Sequence, residues 1–211
     1  MTKTIAVAVV AALIMFTIIN TLKTTLYRKM VSNLENGEYA DFDETINRKW
    51  TQFLFPKTSI LDLKLNAALV QKKKKEAIRL LDELCSLPLV LSQKENYYMK
   101  AFNFFVGIND EKNSGRYLKK INELPNDRIK LEANRVYNIF ILKNDKDLGD
   151  LLQELEGFEE DEKGINEYLI SVIYTNKKDL VNAKKFEELS RKHFASVDEK
   201  TARKLEKEKF S

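Results

Sequence analysis

Catalysis and metal binding draw on a short list of side chains, and this chain carries few of them. It has one histidine, His193, and one cysteine, Cys85, among 211 residues. A nucleophile needs a base within reach and a third group to orient that base. No histidine lies near Cys85 in sequence, and Cys85 stands one position beyond the Leu80–Leu81–Leu84 stripe, so it reads as a small buried hydrophobe. His193, in Arg191-Lys192-His193-Phe194, is expected near a helix end, where a cation complements the dipole. A single cysteine excludes an internal disulfide. The acidic run Glu159-Glu160-Asp161-Glu162 lacks the alternating ligand spacing of a calcium loop and reads as a dipole complement at the start of the next helix. Glycines occur singly, with no phosphate-cradling loop. The residue set therefore predicts no catalytic site, no cofactor, no metal and no small-molecule substrate.

Charge narrows the class further. Charged residues make up 32% of the chain with a formal net charge of +4, and the two signs alternate along most of it. That pattern fits long solvated helix faces, whereas a nucleic-acid binder concentrates its basic residues on one stripe. No nucleic-acid partner is expected. The one dense run, Lys72–Lys75, reads as a solvated turn, with contact to anionic headgroups as the functional alternative, to which Arg28, Lys29, Arg48 and Lys49 would add on a shared face.

Between Lys3 and Lys23 lie nineteen uncharged residues, 4–22, TIAVAVVAALIMFTIINTL. A helix of that length spans about 28 Å, close to a hydrocarbon core of ~30 Å. The exit, Asn20-Thr21-Leu22-Lys23, has no small-x-small cleavage pattern, so residues 1–23 are expected as an uncleaved single-pass transmembrane anchor; a cleaved signal is the competing reading. Lys23, Arg28 and Lys29 are candidate membrane-surface residues. They outnumber Lys3 and the terminal amine, and the positive-inside rule then places the remaining chain in the cytoplasm.

Beyond the anchor, apolar residues recur at spacings of three and four. They define helix pairs closed by turns or proline. The first pair takes Leu26, Tyr27, Met30, Val31 and Leu34, then Phe42, Ile46, Trp50, Phe53 and Leu54 on one face before Pro56. Later pairs are 59–70 with 74–87, 94–108 with 113–124, 127–142 with 148–156, and 165–174 with 180–189. Aligning the second helices on Thr45, Ala77, Ser114, Leu148 and Ala183 gives intervals of 32, 37, 34 and 35 residues, and the first three are followed by Pro56, Pro88 and Pro125 eleven positions later. A period near 34 with two helices per unit is the signature of a helical-hairpin solenoid. The expected fold is all-α, about five antiparallel helix pairs over residues 24–195 after one transmembrane helix. The tail, 196–211, is charged almost all round and is expected as a separate capping helix, with Ser196 or Asp198 at its start, or as a docking tail.

The stretch from Lys73 through Ala77, Leu80 and Leu81 to Pro88 resembles the second helix of tetratricopeptide-like (TPR-like) repeats. The Trp and Gly of that family's first helix are missing, and Asp62 stands beside Asn66 where the carboxylate-binding subset would carry a lysine. The resemblance implies a protein partner held in a concave groove of first helices, where Asn66, Tyr98, Asn103, Arg135 and Asn138 are the candidate contacts. Aromatic residues at Tyr97, Tyr98, Phe102, Phe104 and Phe105 are either such a surface or core. The functional expectation is a membrane-anchored, non-catalytic scaffold or adaptor for protein–protein interaction, or alternatively an exported envelope or surface-assembly protein with its repeats outside the cytoplasm.

Overall fold

The computed structural model describes the backbone of residues 2–159 and 163–209, and side chains over 13–159 and 163–196. Among the described residues the protein is all-α and has no strand. It divides into two compact units, Met1–Leu89 and Val90–Ser211. The first holds α1 (Thr2–Glu35), α2 (Tyr39–Asn47), α3 (Lys49–Leu54), α4 (Lys57–Val70) and α5 (Lys74–Ser86). The second holds α6 (Leu91–Gly107), α7 (Glu111–Asn122), α8 (Asp127–Val136), which runs into a π-helical turn at Tyr137–Ile141, α9 (Leu148–Gly157), α10 (Lys163–Asn176) and α11 (Leu180–Lys209).

The hairpin period has a backbone cause. Among the described residues five adopt the left-handed conformation: Gly37, Lys72, Asn109, Lys143 and Lys178, with φ of 75°, 55°, 53°, 52° and 64°. They stand 35, 37, 34 and 35 residues apart, each between the two helices of a pair. In four of the five turns the next amide donates back five residues: Glu38 to Asn33 at 2.7 Å, Lys73 to Ala68 at 2.8 Å, Asp110 to Phe105 and Asp179 to Tyr174 at 2.9 Å. This is the Schellman closure, which satisfies carbonyls a helix end leaves orphaned. The second helix then starts at once, and its fourth residue packs inward: Ala77, Ser114 and Ala183 are all buried.

Each core follows from the apolar stripes. In the first unit Met30, Phe42, Ile46, Ile60, Leu63 and Ala67 form one cluster, and Leu80, Leu81 and Leu84 of α5 are sealed. Cys85 is buried as expected. In the second unit Tyr97, Phe102 and Phe105 are buried, Phe105 stacking on Tyr117 with ring centres 5.6 Å apart. The aromatic group of α6 is therefore mostly core. A further cluster joins Ile139, Leu151, Leu169, Ile170 and Ile173. Each such aliphatic side chain contributes about 1.5–3 kcal/mol when fully removed from water.

Two expectations need correction. Trp50 and Phe53 do not share the inward face of Phe42 and Ile46: the backbone turns extended at Arg48, splitting the helix, and they stand 77% and 82% exposed while Thr51 turns inward. The tail does not begin a separate helix at residue 196. The α11 backbone runs unbroken to Lys209, and Ser196 Oγ donates to the His193 carbonyl within that helix, so it caps nothing. His193 is consequently mid-helix. No helix among the described residues is long and apolar enough to cross a membrane. Residues 4–12 of the expected span and residues 197–211 of the tail fall outside the described side chains, as do residues 160–162 of the acidic run altogether.

Candidate functional site

The fourth turn departs from the other four, and the departure builds a site in the second unit. Leu142 N–H donates to the Tyr137 carbonyl at 3.0 Å, five residues back, and Asn144 N–H reaches Asn138, six back, at 3.1 Å. The helix end is thus one residue wider than a Schellman turn. A π-turn of this kind leaves the Ile139 carbonyl available, and Asn176 Nδ2 of α10 donates to it at 2.8 Å. Lys177 and Asp145 pair beside it. Wide turns of this type concentrate at functional positions because they re-aim side chains.

Polar groups fill the space between α8 and α9. Arg135 Nη1 and Nη2 donate to Glu154 Oε2 and Oε1 at 2.9 and 2.6 Å, and Asn166 Nδ2 of α10 donates to Glu154 Oε2 at 2.9 Å. Asn138 Nδ2 donates to Asp147 Oδ2 at 2.9 Å. The Glu154 carboxyl is held below its ordinary value, chiefly by the Arg135 hydrogen bonds and also by Asn166, against the opposing effect of burial. Arg135 is raised by the same partner. Its Nε is sealed and has no acceptor, so the fork is anchored at one face only.

Above this pair lies an open cleft of about 910 Å³, lined by Leu131, Phe158, Ile165, Leu169 and Phe194 around Arg128, Glu132, Arg135, Glu154 and Asn166. Leu131 is 50% exposed and Ile165 63%. Phe194 leans over Gly164, where an added Cβ would meet its ring at 3.1 Å; that close approach is what Gly164 permits. Glu167, beside Asn166, and His193, beside Phe194, point inward: Glu167 Oε2 lies 2.6 Å from His193 Nδ1, with side chains 4% and 9% exposed, and Ser190 Oγ donates to the Gly164 carbonyl at 2.8 Å. A His–Glu pair sealed between α10 and α11 has no face for a substrate; it locks two helices together.

Of the expected contact residues, Arg135 alone lines this cleft. Asn138 is buried and committed to Asp147. Tyr98 is half-buried on α6 beneath Lys120, 5.1 Å from its ring centre, and Asn103 is exposed on the same helix. Asn66 is half-buried on α4 in the first unit. Sequence reasoning missed Glu154, Asn166 and Glu167 because acids and amides on an amphipathic helix look solvated until their neighbours are known; the signal was Glu167 standing between Asn166 and Tyr168 on a helix with little other polarity. Lys23 is half-exposed and Arg28 and Lys29 are exposed on α1. Among the described residues no three His, Cys, Asp or Glu side chains gather as a metal site requires. No protein-family model, curated protein or solved structure matches this chain.

Proposed function

We propose that this chain is a membrane-anchored, TPR-like helical-repeat adaptor that holds a protein partner without catalysis. The observation that carries the reading is the cleft over Arg135 and Glu154, whose rim exposes Leu131, Ile165 and Phe194. Large apolar side chains left bare around an ion-paired polar floor suit an amphipathic partner segment, which buries its apolar face there and leaves its polar face wet. The anchor is residues 4–22, with the repeats on the cytoplasmic side by the count of Lys23, Arg28 and Lys29 against Lys3. It is supported by α1 itself, where Leu13, Ile14, Met15, Phe16, Ile18 and Leu22 are each at least half exposed.

The test is crosslinking in intact cells from a photoreactive residue at Ile165, with Glu187 on the exposed face of α11 as control. One dominant protein adduct at Ile165, absent at Glu187 and lost in Leu131→Glu/Phe194→Glu, supports the adaptor. Identical adducts at both positions, or capture of lipid and of the chain itself alone, contradict it.

A further inference from the structure

The first unit exposes two large aromatics that its own core does not use. Trp50 and Phe53 sit one turn apart on α3, 77% and 82% exposed. The middle of α3 is tied down, so this exposure is built in: Thr51 Oγ1 donates to the Thr45 carbonyl at 2.7 Å and Gln52 Nε2 to the Ile46 carbonyl at 2.6 Å. These bonds hold α3 against the last turn of α2.

That position is defined along α1. The α1–α2 hairpin closes at Gly37, with Glu38 N–H donating to the Asn33 carbonyl. The two helices run antiparallel from that turn, so Lys29, eight residues before Gly37, stands level with Thr45, eight after it, and Met30 packs in one cluster with Phe42 and Ile46. The α2–α3 junction therefore lies level with Lys29, at the end of the hairpin opposite its turn. From Lys29 to Leu22, the last apolar residue of the 4–22 run, is seven residues, or about 10 Å of helix. A headgroup layer is roughly 5–8 Å deep on each side of the hydrocarbon, so the start of α3 stands a few ångströms outside it, a gap that a tryptophan or phenylalanine side chain can span. The charge is complementary. Residues 20–34 and 45–61 contain Lys23, Arg28, Lys29, Arg48, Lys49 and Lys57 and no acid; Arg48 pairs with Glu44 and Lys57 with Glu83, both pairs open to solvent.

We infer that Trp50 and Phe53 form a second membrane contact, seated at the headgroup level of an anionic bilayer beside the exit of α1. Tryptophan favours that depth because its ring is apolar and its N–H needs a polar neighbour, and the basic residues around it favour anionic lipid. The contact would fix the tilt of the first unit, which a single helix alone leaves free. This inference rests on the anchor at residues 4–22.

Trp50 is the chain's one tryptophan, so its fluorescence reads the contact directly. The full chain is reconstituted into phosphatidylcholine vesicles with and without phosphatidylglycerol, carrying lipids brominated high or low on the acyl chain. The expected result is a blue-shifted emission, quenched more by the shallow bromines than by the deep ones. The shift and the quenching are expected to fall in Phe53→Ser and, in phosphatidylglycerol vesicles alone, in Arg48→Glu/Lys49→Glu, with far-ultraviolet circular dichroism unchanged. A hydrated emission without quenching, from protein that still floats with vesicles, overturns the inference and leaves the anchor standing. Protein that fails to float overturns both. A blue shift without bromine quenching, growing with protein concentration, assigns the patch to a second copy of the chain and also overturns it.

Discussion

The α4–α5 hairpin and the hairpin of α8 with α9 share one plan and differ in what fills them. Both turn on a left-handed lysine, Lys72 and Lys143. In the first, α5 seals Ala77, Leu80, Leu81, Leu84 and Cys85, and the Schellman bond closes the end tightly. In the second, α9 buries Leu151 alone, the turn is one residue wider, and Arg135–Glu154 and Asn138–Asp147 stand where aliphatic side chains would pack. The difference teaches that the repeat tolerates a polar filling when its charges are paired, and that this filling lies beneath an open cleft. A buried pair gives up hydrophobic stabilisation for this, because desolvating two charges consumes most of their attraction.

The sharpest way to break the comparison is a truncation on each side. Leu81→Ala is expected to cost about 2–5 kcal/mol, since the side chain is fully buried and leaves a cavity; Leu152→Ala on half-buried α9 is expected to cost clearly less. Chemical denaturation of both variants measures the gap, and equal losses would mean that α9 is as tightly packed as α5. Next in size, Glu154→Ala strands the Arg135 guanidinium and is expected to cost about 2–3 kcal/mol, less than a dry pair would because the carboxylate is one-third exposed. The double variant Arg135→Met/Glu154→Leu is expected to recover most of that loss, as it removes both charges and the unsatisfied Nε together.

Acid offers a third contrast. The Glu154 carboxyl is lowered in the folded protein from an ordinary value of 4.5, so its contribution is fully present above that value and is lost as pH falls through the folded one. Thermal melts are expected to show the fall in wild type and a shallower one in Glu154→Gln. The smallest effect sharpens the turns. Lys72→Gly relieves a left-handed non-glycine residue and is expected to add about 0.5–1 kcal/mol; a loss would mean that the lysine side chain itself holds the turn.

The hairpins were legible in the sequence because their causes are local: apolar spacing sets the helices, and turn residues set the period. The inward-facing fourth residues of the second helices, Ala77, Ser114 and Ala183, followed from that alignment alone. Trp50 and Phe53 misled, since a spacing of three and four continues through them while the backbone breaks at Arg48, a residue with no breaking tendency of its own. The site was less legible still. Arg135 could be chosen as a polar residue on a first helix, but its partner lies 19 residues away and its neighbour Asn166 lies on another helix. Charges that pair across helices leave no periodic trace. His193 and Glu167, 26 residues apart, are the same case.

The account stands on the fourth hairpin being open where the second is closed, and amide hydrogen exchange measures this helix by helix on the full chain. Amides of Leu80–Leu84 in α5 are expected to exchange near the slowest rate of the first unit, through its global unfolding, while those of Leu151–Leu155 in α9 exchange many-fold faster than α10 beside them, through local opening. Protection in α9 equal to that in α10 would contradict the account, because the cleft would then be a rigid part of the core and no place for a partner to enter.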